Sequence, residues 1–284
     1  MTDIAVIGGG PAGLTAALYA ARAGKSVTVY ERECIGGQIT RAPQVENYPG
    51  SGRVSGLQLG DRMAAQAEAA GAVISLTDVQ KIVKETSGFF RLDTDDGEYY
   101  AKAVIYACGA RPKTLGLPGE AELVGHGVSY CALCDGSFFK GKDVAVVGGG
   151  NTAMDDAIYL SDICNKVYLV HRRDVFRGDA TTLMKLKETE NIELIVPAKV
   201  QEVKGEQVVT ALQLEDGRSL EVSGVFVAVG MQPATSILQG IVLMDDNGYI
   251  IADETGKTSA AGFFAAGDVR TKELRQIITA VSDG

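Results

Sequence analysis

The sequence predicts an α/β protein made of two Rossmann-like dinucleotide-binding domains, each a three-layer ββα arrangement, with the second domain inserted in the first. Three observations support this prediction. A strand, a glycine-rich turn and a helix occur near residue 8 and again near residue 148, the segments after the two turns repeat one another, and residues 262–268 read as a return to the first domain. The length of 284 residues suits two domains.

The first glycine turn lies between an apolar strand at residues 4–7 and an alanine-rich helix at residues 14–23. Its first glycine allows the tight turn, its second lets the backbone approach a pyrophosphate, and its third lets the helix pack on the strand. The N-terminus of the helix then offers free N–H groups to the phosphates. The pattern predicts that the cofactor is bound by Gly8, Gly10, Pro11, Ala12 and Gly13.

A second strand, residues 26–30, leads directly into Glu31. A carboxylate at this distance from the glycine turn is placed to accept hydrogen bonds from ribose hydroxyls. Because a carboxylate repels a 2′-phosphate, the first domain suits FAD or NAD rather than NADP.

The remainder of the first domain reads as a series of short elements. A loop rich in proline and glycine, residues 43–52, precedes a predicted helix at residues 56–70. Strands are then predicted at residues 78–85, 89–93, 99–103 and 104–107. Pro112 and Pro118 indicate an interdomain linker after them.

The second glycine turn follows a strand at residues 144–147 and opens a helix that ends near residue 161. A further strand, residues 166–170, leads into His171, and the spacing from Gly148 to His171 equals that from Gly8 to Glu31. Two copies of one dinucleotide-binding unit explain this repeat. The turn predicts a second nucleotide site at Gly148, Gly150, Asn151, Thr152 and Ala153.

Basic residues replace the ribose-binding acid in the second copy: His171, Arg172, Arg173 and Arg177. Guanidinium groups bind phosphate in bidentate fashion. Two such charge-assisted contacts would favour NADP over NAD by about two orders of magnitude or more. The alternative is a solvated basic helix start, but a net charge of −9 argues against it. The second site is therefore predicted to bind NADPH.

Cys131 and Cys134 form a CxxC motif between the two nucleotide units. Such a pair can close a small disulfide, and local charge can lower one thiol pKa to about 7. Asp135, next to the second cysteine, could pass a proton to a departing thiolate if its own pKa is raised. A structural or metal role is the alternative, but neither His126 nor His171 has the spacing of a zinc finger, so no metal site is predicted.

The other features of the composition point to a reducing cytoplasm. Five cysteines, odd in number and widely spread, do not form the framework of a secreted disulfide protein, and Cys34, Cys108 and Cys164 are expected to be small buried hydrophobes. No signal peptide precedes residue 4, and no apolar run has the length of a membrane span. The negative charge argues against nucleic acid or an anionic membrane as the main partner.

The last segment ends a predicted strand with Gly267 and Asp268. An acid at the carboxyl end of a strand could bind the ribityl hydroxyls of a flavin, although such a pair is more often a simple turn. Within a dinucleotide fold it favours a return to the first domain. The predicted domains are therefore residues 1–113 with 243–284 for FAD and residues 114–242 for NADPH.

Together these motifs, with the segments 36–38 and 275–276, closely resemble the low-molecular-weight, bacterial-type thioredoxin reductases along essentially the whole chain. The resemblance implies a homodimeric flavoenzyme in which FAD and NADPH serve a redox disulfide that reduces thioredoxin. It also implies a flavin site formed by Glu31, Gly36, Gly37, Gln38, Thr40, Asn47, Gly267, Asp268, Val269, Arg275, Gln276 and Ile277. Because the cysteines and the NADPH site share one domain, we predict that this domain rotates about linkers at residues 111–117 and 240–245.

The resemblance also implies roles for the residues around the disulfide. Cys134 would face the flavin, Cys131 would attack the disulfide of thioredoxin, and Asp135 would act as general acid. Phe138 or Phe139 would dock thioredoxin, although either could be ordinary core. Leu133 stands where the family commonly has threonine. The family also continues beyond the position of Gly284 into a further helix, so the sequence is expected to be truncated relative to it.

Other functions remain open at this point. The reductase of a peroxide-scavenging thiol system has the same core but usually carries a fused N-terminal redox module. Ferredoxin-NADP reductases of related architecture lack the CxxC motif. A redox sensor could use the cysteine pair without turnover, but a sensor need not recognise a 2′-phosphate.

Overall fold

A computed structural model describes all residues from Met1 to Gly284. The chain forms two compact units: unit 1 comprises Met1–Arg111 and Gln232–Gly284, and unit 2 comprises Pro112–Met231. The first division lies close to the predicted one. The second lies earlier than residue 243, because Leu238 and Val242 are buried in the core of unit 1. The segment 240–245, predicted as a linker, therefore belongs to unit 1.

Strands and α-helices alternate after each glycine turn, and a run of strands follows in both units. The strands are β1 (Thr2–Ile7), β2 (Val27–Glu31), β3 (Val73–Leu76), β4 (Val79–Lys84), β5 (Phe90–Thr94), β6 (Glu98–Tyr106), β7 (Ala110–Pro112), β8 (Val128–Ser129), β9 (Asp143–Val147), β10 (Lys166–Val170), β11 (Ile192–Ile195), β12 (Val200–Lys204), β13 (Ala211–Leu214), β14 (Ser219–Glu221), β15 (Gly224–Val227), β16 (Met231–Pro233) and β17 (Phe263–Ala265). The helices are α1 (Pro11–Arg22), α2 (Gly56–Ala69), α3 (Ala132–Asp135), α4 (Asn151–Ser161), α5 (Ala180–Glu188) and α6 (Ile277–Asp283).

Unit 1 is built on a sheet of order β3-β2-β1-β6-β5-β4, with β17 also paired to β6. The strands β3, β2, β1, β6 and β17 are parallel, whereas β4 and β5 form an antiparallel extension of β6. Two strands were predicted at residues 99–103 and 104–107, but they are one strand, β6. Its first half pairs with β5 and its second half with β17. The pairing of β17 with β6 brings the segment after residue 262 into the sheet of unit 1.

Unit 2 contains a five-stranded parallel sheet of order β11-β10-β9-β15-β8 and a separate antiparallel sheet of β12, β13 and β14. Successive residues of β9 pack into two different cores, with Ala145 and Val147 on one face and Val144 and Val146 on the other. A strand segment buried on both faces must be apolar, which explains the unbroken hydrophobic sequence of residues 144–147 after Asp143. The parallel strands in the main sheet of each unit, with the helices that connect them, confirm the predicted α/β class. None of the helices combines the length and apolar character that a membrane span requires.

Candidate active site

Cys131 and Cys134 are joined by a disulfide with an S–S distance of 2.10 Å and a Cα–Cα distance of 5.3 Å. The short helix α3 produces this geometry, because Cys131 is its N-cap and Cys134 lies within it. The backbone N–H of Cys134 donates a hydrogen bond to Sγ of Cys131 at 3.2 Å. Cys134 is exposed and Cys131 is half-buried, so the disulfide can be reached from solvent.

Asp135 follows the disulfide and is held by Ser129, the last residue of β8. The Ser129 hydroxyl donates to Oδ2 of Asp135 at 2.6 Å, and its oxygen accepts the backbone N–H of Cys131 at 3.1 Å. Burial raises the pKa of Asp135, and the hydrogen bond from Ser129 partly opposes this shift. A carboxyl group with a raised pKa suits proton transfer near the cysteines.

The apolar residues around the disulfide differ in exposure. Leu133 is 46% exposed and Phe138 is 43% exposed, whereas Phe139 is only 9% exposed. The ring of Phe139 packs edge to face on Phe226 in the core of unit 2, with 5.3 Å between ring centroids. Of the two predicted docking residues, only Phe138 is therefore accessible to a partner.

The disulfide segment also packs against the helix that begins at the second glycine turn. A Cβ on Gly136 would lie 2.9 Å from Cδ2 of Leu160 and 3.1 Å from the ring of Tyr159, both on α4. The chain after Asp135 can approach α4 this closely only because it has no side chain at Gly136. Unit 2 thus links the redox pair to the nucleotide turn through a single helix.

The first glycine turn has the close contacts that the sequence predicts. Gly8 has φ of +107°, and a Cβ there would lie 2.5 Å from the carbonyl oxygen of Ala107. A Cβ on Gly13 would overlap the carbonyl oxygen of Gly8, whereas one on Gly10 would have no neighbour nearer than 3.9 Å. The turn is therefore closed towards the sheet and open above the N-terminus of α1, where an anion would bind.

Glu31 lies at the end of β2 and holds the glycine turn from the other side. Its Oε2 accepts the backbone N–H of Gly9 at 2.7 Å, and its Oε1 accepts the N–H groups of Glu33 at 2.8 Å and Cys34 at 3.3 Å. A cavity of about 270 Å³ opens beside this carboxylate. Its lining includes Gly8, Glu31, Gly37, Gln38, Thr40 and Cys108.

Asp268 is half-buried, and its Oδ1 is a buried oxygen with no hydrogen-bond partner. Burial raises the pKa of Asp268, and the nearby cations Lys272 and Arg275 oppose the rise. An unpaired buried oxygen of this kind requires a donor, and the ribityl hydroxyls of a flavin are donors of the right kind. With the open glycine turn, this orphan oxygen shows that the residues of unit 1 fit FAD.

The remaining residues predicted for the flavin lie near Asp268 or contact one another. The Arg275 guanidinium lies over the ring of Tyr249 at 4.3 Å, and the side-chain amide of Asn47 donates to Oε1 of Gln276 at 3.2 Å. Val269 is buried. Ile277 is the first residue of α6, which is capped by Gln276.

The second glycine turn repeats the first. A Cβ on Gly148 would overlap the carbonyl oxygen of Ala228, and a Cβ on Gly150 would have no neighbour within 4 Å. Asn151 and Thr152 are exposed at the start of α4, and Oδ1 of Asn151 accepts the backbone N–H of Asp179 at 2.8 Å. Ala153 is buried beneath them. This turn is also closed towards the sheet and open above the N-terminus of α4, so it fits a dinucleotide pyrophosphate.

The four basic residues after β10 divide into one buried ring and three exposed guanidinium groups. His171 is 6% exposed, lies against Gly149 and stacks on Phe176 with 5.4 Å between ring centroids. Burial lowers its pKa, so the ring is neutral at neutral pH. The exposed guanidinium groups are those of Arg172, Arg173 and Arg177. They form no ion pair or hydrogen bond within the protein, so they are open to a phosphate.

The free cysteines correct one expectation. Cys164 is buried and Cys108 is partly buried, and burial raises their pKa values to about 11 and about 12. Cys34 is exposed, because it lies in the loop after Glu31 beside the cavity, and it is not a core residue.

Sequence reasoning missed two polar residues of these sites. Ser129 lies two residues before Cys131, the first residue of the CxxC motif, and Asp283 is distant in sequence from the Gly267 that it contacts. A single serine before a cysteine is too common to be a signal, and a contact over this distance has no local pattern. Only the packing of the folded chain shows them.

Three comparisons place the whole chain among known proteins. The model of the pyridine nucleotide-disulphide oxidoreductase family matches residues 2–284. A thioredoxin reductase of Helicobacter pylori is 43% identical over 297 residues, covering 100% of this chain and 96% of that protein, and one of Bacillus subtilis is 39% identical over 288 residues, covering 99% and 91%. The crystal structure of a thioredoxin reductase from Streptococcus pyogenes is similar with a TM-score of 0.94 and 41% identity, covering 100% of this chain and 94% of that one.

Proposed function

The chain belongs to the pyridine nucleotide-disulphide oxidoreductase family, and we propose that it works within this family as an NADPH-dependent thioredoxin reductase. The observation that carries this proposal is the accessible Cys131–Cys134 disulfide, with the carboxyl group of Asp135 held beside it. The similar sequences and the similar crystal structure both support it, because they are thioredoxin reductases and the match to this chain covers nearly their full length.

FAD and NADPH are the two cofactors of the proposed reaction. FAD would be held by the first glycine turn, by Glu31 and by Asp268, and NADPH by the second glycine turn and the three exposed arginines. The chemistry that FAD supplies when bound is acceptance of a hydride from NADPH and delivery of two electrons to a disulfide. The arginines would select NADPH over NADH because only NADPH carries a 2′-phosphate.

The cysteines then carry the two electrons to the protein substrate. In the dithiol form, the Cys131 thiolate attacks one sulfur of the thioredoxin disulfide, and a mixed disulfide forms as the other sulfur leaves. Cys134 then attacks Sγ of Cys131, which releases thioredoxin as a dithiol and restores the Cys131–Cys134 disulfide. Asp135 gives a proton to a leaving thiolate, a role that its raised pKa favours. Two electrons and two protons pass from the enzyme dithiol to thioredoxin.

The direct test is the NADPH-dependent reduction of thioredoxin by the purified, FAD-loaded protein. We expect NADPH oxidation when oxidised thioredoxin is present and much slower oxidation of NADH. A Cys134→Ser variant should still oxidise NADPH with an artificial electron acceptor but should not reduce thioredoxin. Failure of the wild-type protein with NADPH and thioredoxin would refute the proposal.

The two alternatives give different results in the same assay. A reductase of a peroxide-scavenging system would reduce its own thiol partner in preference to thioredoxin, and the relatives found here do not favour it. A redox sensor would bind NADPH and change its cysteine oxidation state without turnover.

The state of assembly and the compartment are part of the proposal. A homodimer is supported by the exposed Tyr19 on α1 and Ile278 on α6, two helices that pack on each other and present apolar side chains to solvent. A reducing cytoplasm is supported by the free thiols of Cys34 and Cys108. Sedimentation equilibrium of the FAD-loaded protein tests the dimer, and fractionation of cells tests the compartment.

A further inference from the structure

Glu120 is a buried carboxylate in unit 2 that no lysine or arginine neutralises. It is 2% exposed and accepts four hydrogen bonds. Its Oε1 accepts the backbone N–H of Leu115 at 2.9 Å, and its Oε2 accepts those of Gly116 at 2.8 Å and Leu117 at 3.4 Å. The fourth bond comes from the hydroxyl of Tyr130, at 3.0 Å from Oε1. A buried carboxyl group with this many donors is held in one position.

The three backbone donors lie in the segment by which the chain enters unit 2, residues 112–117, which we call the first linker. The residue that follows this linker, Pro118, is fixed to β12, because the backbone N–H of Val203 donates to its carbonyl oxygen at 3.0 Å. Gly119 has φ of +79°, and a Cβ there would overlap the carbonyl oxygen of Val203. Glu120 follows Gly119 directly. Its side chain therefore folds back onto the linker, next to the point at which the chain is fixed to β12.

The fourth donor lies at the redox centre. Tyr130 stands between Ser129, which binds Asp135, and Cys131, which forms the disulfide. The Tyr130 side chain packs against the same core as Leu115 and Leu117. The position of Tyr130 therefore depends on the linker both through apolar packing and through the carboxylate of Glu120.

We propose that Glu120 is a positioning residue that ties the first linker to the redox cysteines through Tyr130. The consequence for turnover rests on the proposed function, whereas the effect on the cysteines themselves does not. A displacement of the linker backbone shifts the Glu120 carboxylate, and the hydrogen bond to Tyr130 passes this shift to Cys131. A residue that only closed the linker turn would need the three backbone bonds but not the fourth.

The test uses Tyr130→Phe, which removes the fourth bond and leaves the three backbone bonds intact. Its matched control is Tyr168→Phe, which removes a hydroxyl elsewhere in unit 2. In protein reduced with dithiothreitol, we expect iodoacetamide to alkylate Cys131 about fivefold faster in Tyr130→Phe, the factor that a typical hydrogen bond represents. Thioredoxin-dependent kcat should fall by a similar factor without a change in the KM for thioredoxin, and Tyr168→Phe should match the wild type.

Glu120→Gln and the double variant test whether the effect runs through Glu120. We expect Glu120→Gln to alkylate as fast as Tyr130→Phe, and the double variant to be no faster than either, because the two residues act as one unit. Alkylation of Tyr130→Phe within twofold of the wild type would overturn the proposal, as would additive effects in the double variant. If wild-type protein does not reduce thioredoxin, the proposed function fails, but the alkylation rates still decide the role of Glu120.

Discussion

The Ser129 hydroxyl donates a 2.6 Å hydrogen bond to Asp135 from the last position of β8. The same hydroxyl oxygen accepts the backbone N–H of Cys131. Ser129 is buried, so its hydroxyl is shielded from water. One serine thus fixes the spacing between the proposed acid and the proposed attacking cysteine.

Replacing Ser129 by alanine should change the pH dependence of turnover. The hydrogen bond from Ser129 lowers the pKa of Asp135 against the effect of burial, so its loss should raise this pKa further. If protonated Asp135 is the active form, the alkaline decline of kcat moves to higher pH, and kcat itself falls about fivefold because Cys131 loses its acceptor. Measurement of kcat from acid to alkaline pH, with Ser137→Ala in the exposed turn as control, tests this. An unchanged pH profile of kcat in Ser129→Ala would show that Ser129 does not affect the pKa of Asp135.

An Asp135→Asn variant should lose proton transfer but keep the fold. General acid catalysis contributes about 10²-fold or more, so thioredoxin-dependent kcat should fall by at least that factor. NADPH oxidation with ferricyanide, which does not need the cysteines, should continue at the wild-type rate. Loss of both activities in parallel would place Asp135 in the structural core instead.

Asp135→Asn should also change how stability depends on pH. Because burial raises the pKa of Asp135, the folded protein binds more protons than the unfolded chain between the ordinary and the raised pKa. The contribution of Asp135 to the free energy of unfolding therefore falls as the pH rises through this window. Relative to wild type, Asp135→Asn should be more stable at about pH 8 than at about pH 4 in urea unfolding. A difference that does not depend on pH would contradict the raised pKa.

The glycine turns and their strands were predictable because each depends on a short contiguous pattern. An apolar run, a close series of glycines and an alanine-rich helix occur together at Gly8 and again at Gly148. The two halves of β6 could not be joined from the sequence, since the change of partner from β5 to β17 occurs within an uninterrupted strand.

Side-chain orientation was predictable only where spacing determines it. Glu31 and His171 occupy equivalent positions in the two copies, yet Glu31 lines a cavity while the ring of His171 is buried against Gly149. The phenyl ring of Phe176 stacks on His171, and no pattern in the sequence places it there. The role of His171 as a phosphate ligand therefore stays a prediction, whereas Arg172 and Arg173 have the exposure it requires.

Arg172→Ala and Arg173→Ala should weaken NADPH binding selectively. Each guanidinium group is exposed and has no partner in the protein. Its loss therefore removes a contact to the 2′-phosphate and leaves no carboxylate of the protein unpaired. We expect the KM for NADPH to rise about tenfold or more for each variant while the KM for NADH stays constant. Arg218→Ala is the matched control, since Arg218 is an exposed arginine of the same unit that pairs with Asp216. An equal rise in both KM values would mean that the arginines do not read the 2′-phosphate.

Asp283 should be essential for the stability of unit 1, because it neutralises two buried cations. Its carboxylate lies 2.7 Å from the Arg270 guanidinium and 2.9 Å from Nζ of Lys272, and it accepts the backbone N–H of Gly267 at 2.8 Å. Removing one partner of a buried ion pair costs about 3–5 kcal/mol, so Asp283→Asn should lower the free energy of unfolding by about that amount. The variant should also release FAD more readily, because Gly267 precedes Asp268.

The direction of the pKa shift of Asp283 determines how its contribution to stability depends on pH. Burial would raise the pKa of Asp283, but the hydrogen bonds from Arg270, Lys272 and Gly267 outweigh burial and hold it below its usual range. The stabilisation is therefore complete above the ordinary aspartate pKa and is lost as the pH falls through the lowered one. Urea unfolding and flavin fluorescence of Asp283→Asn, beside the exposed Asp246→Asn as control, measure both effects. If Asp283→Asn unfolds at the same urea concentration as Asp246→Asn at neutral pH, the two cations do not depend on Asp283, and the turn before Asp268 must be held in another way.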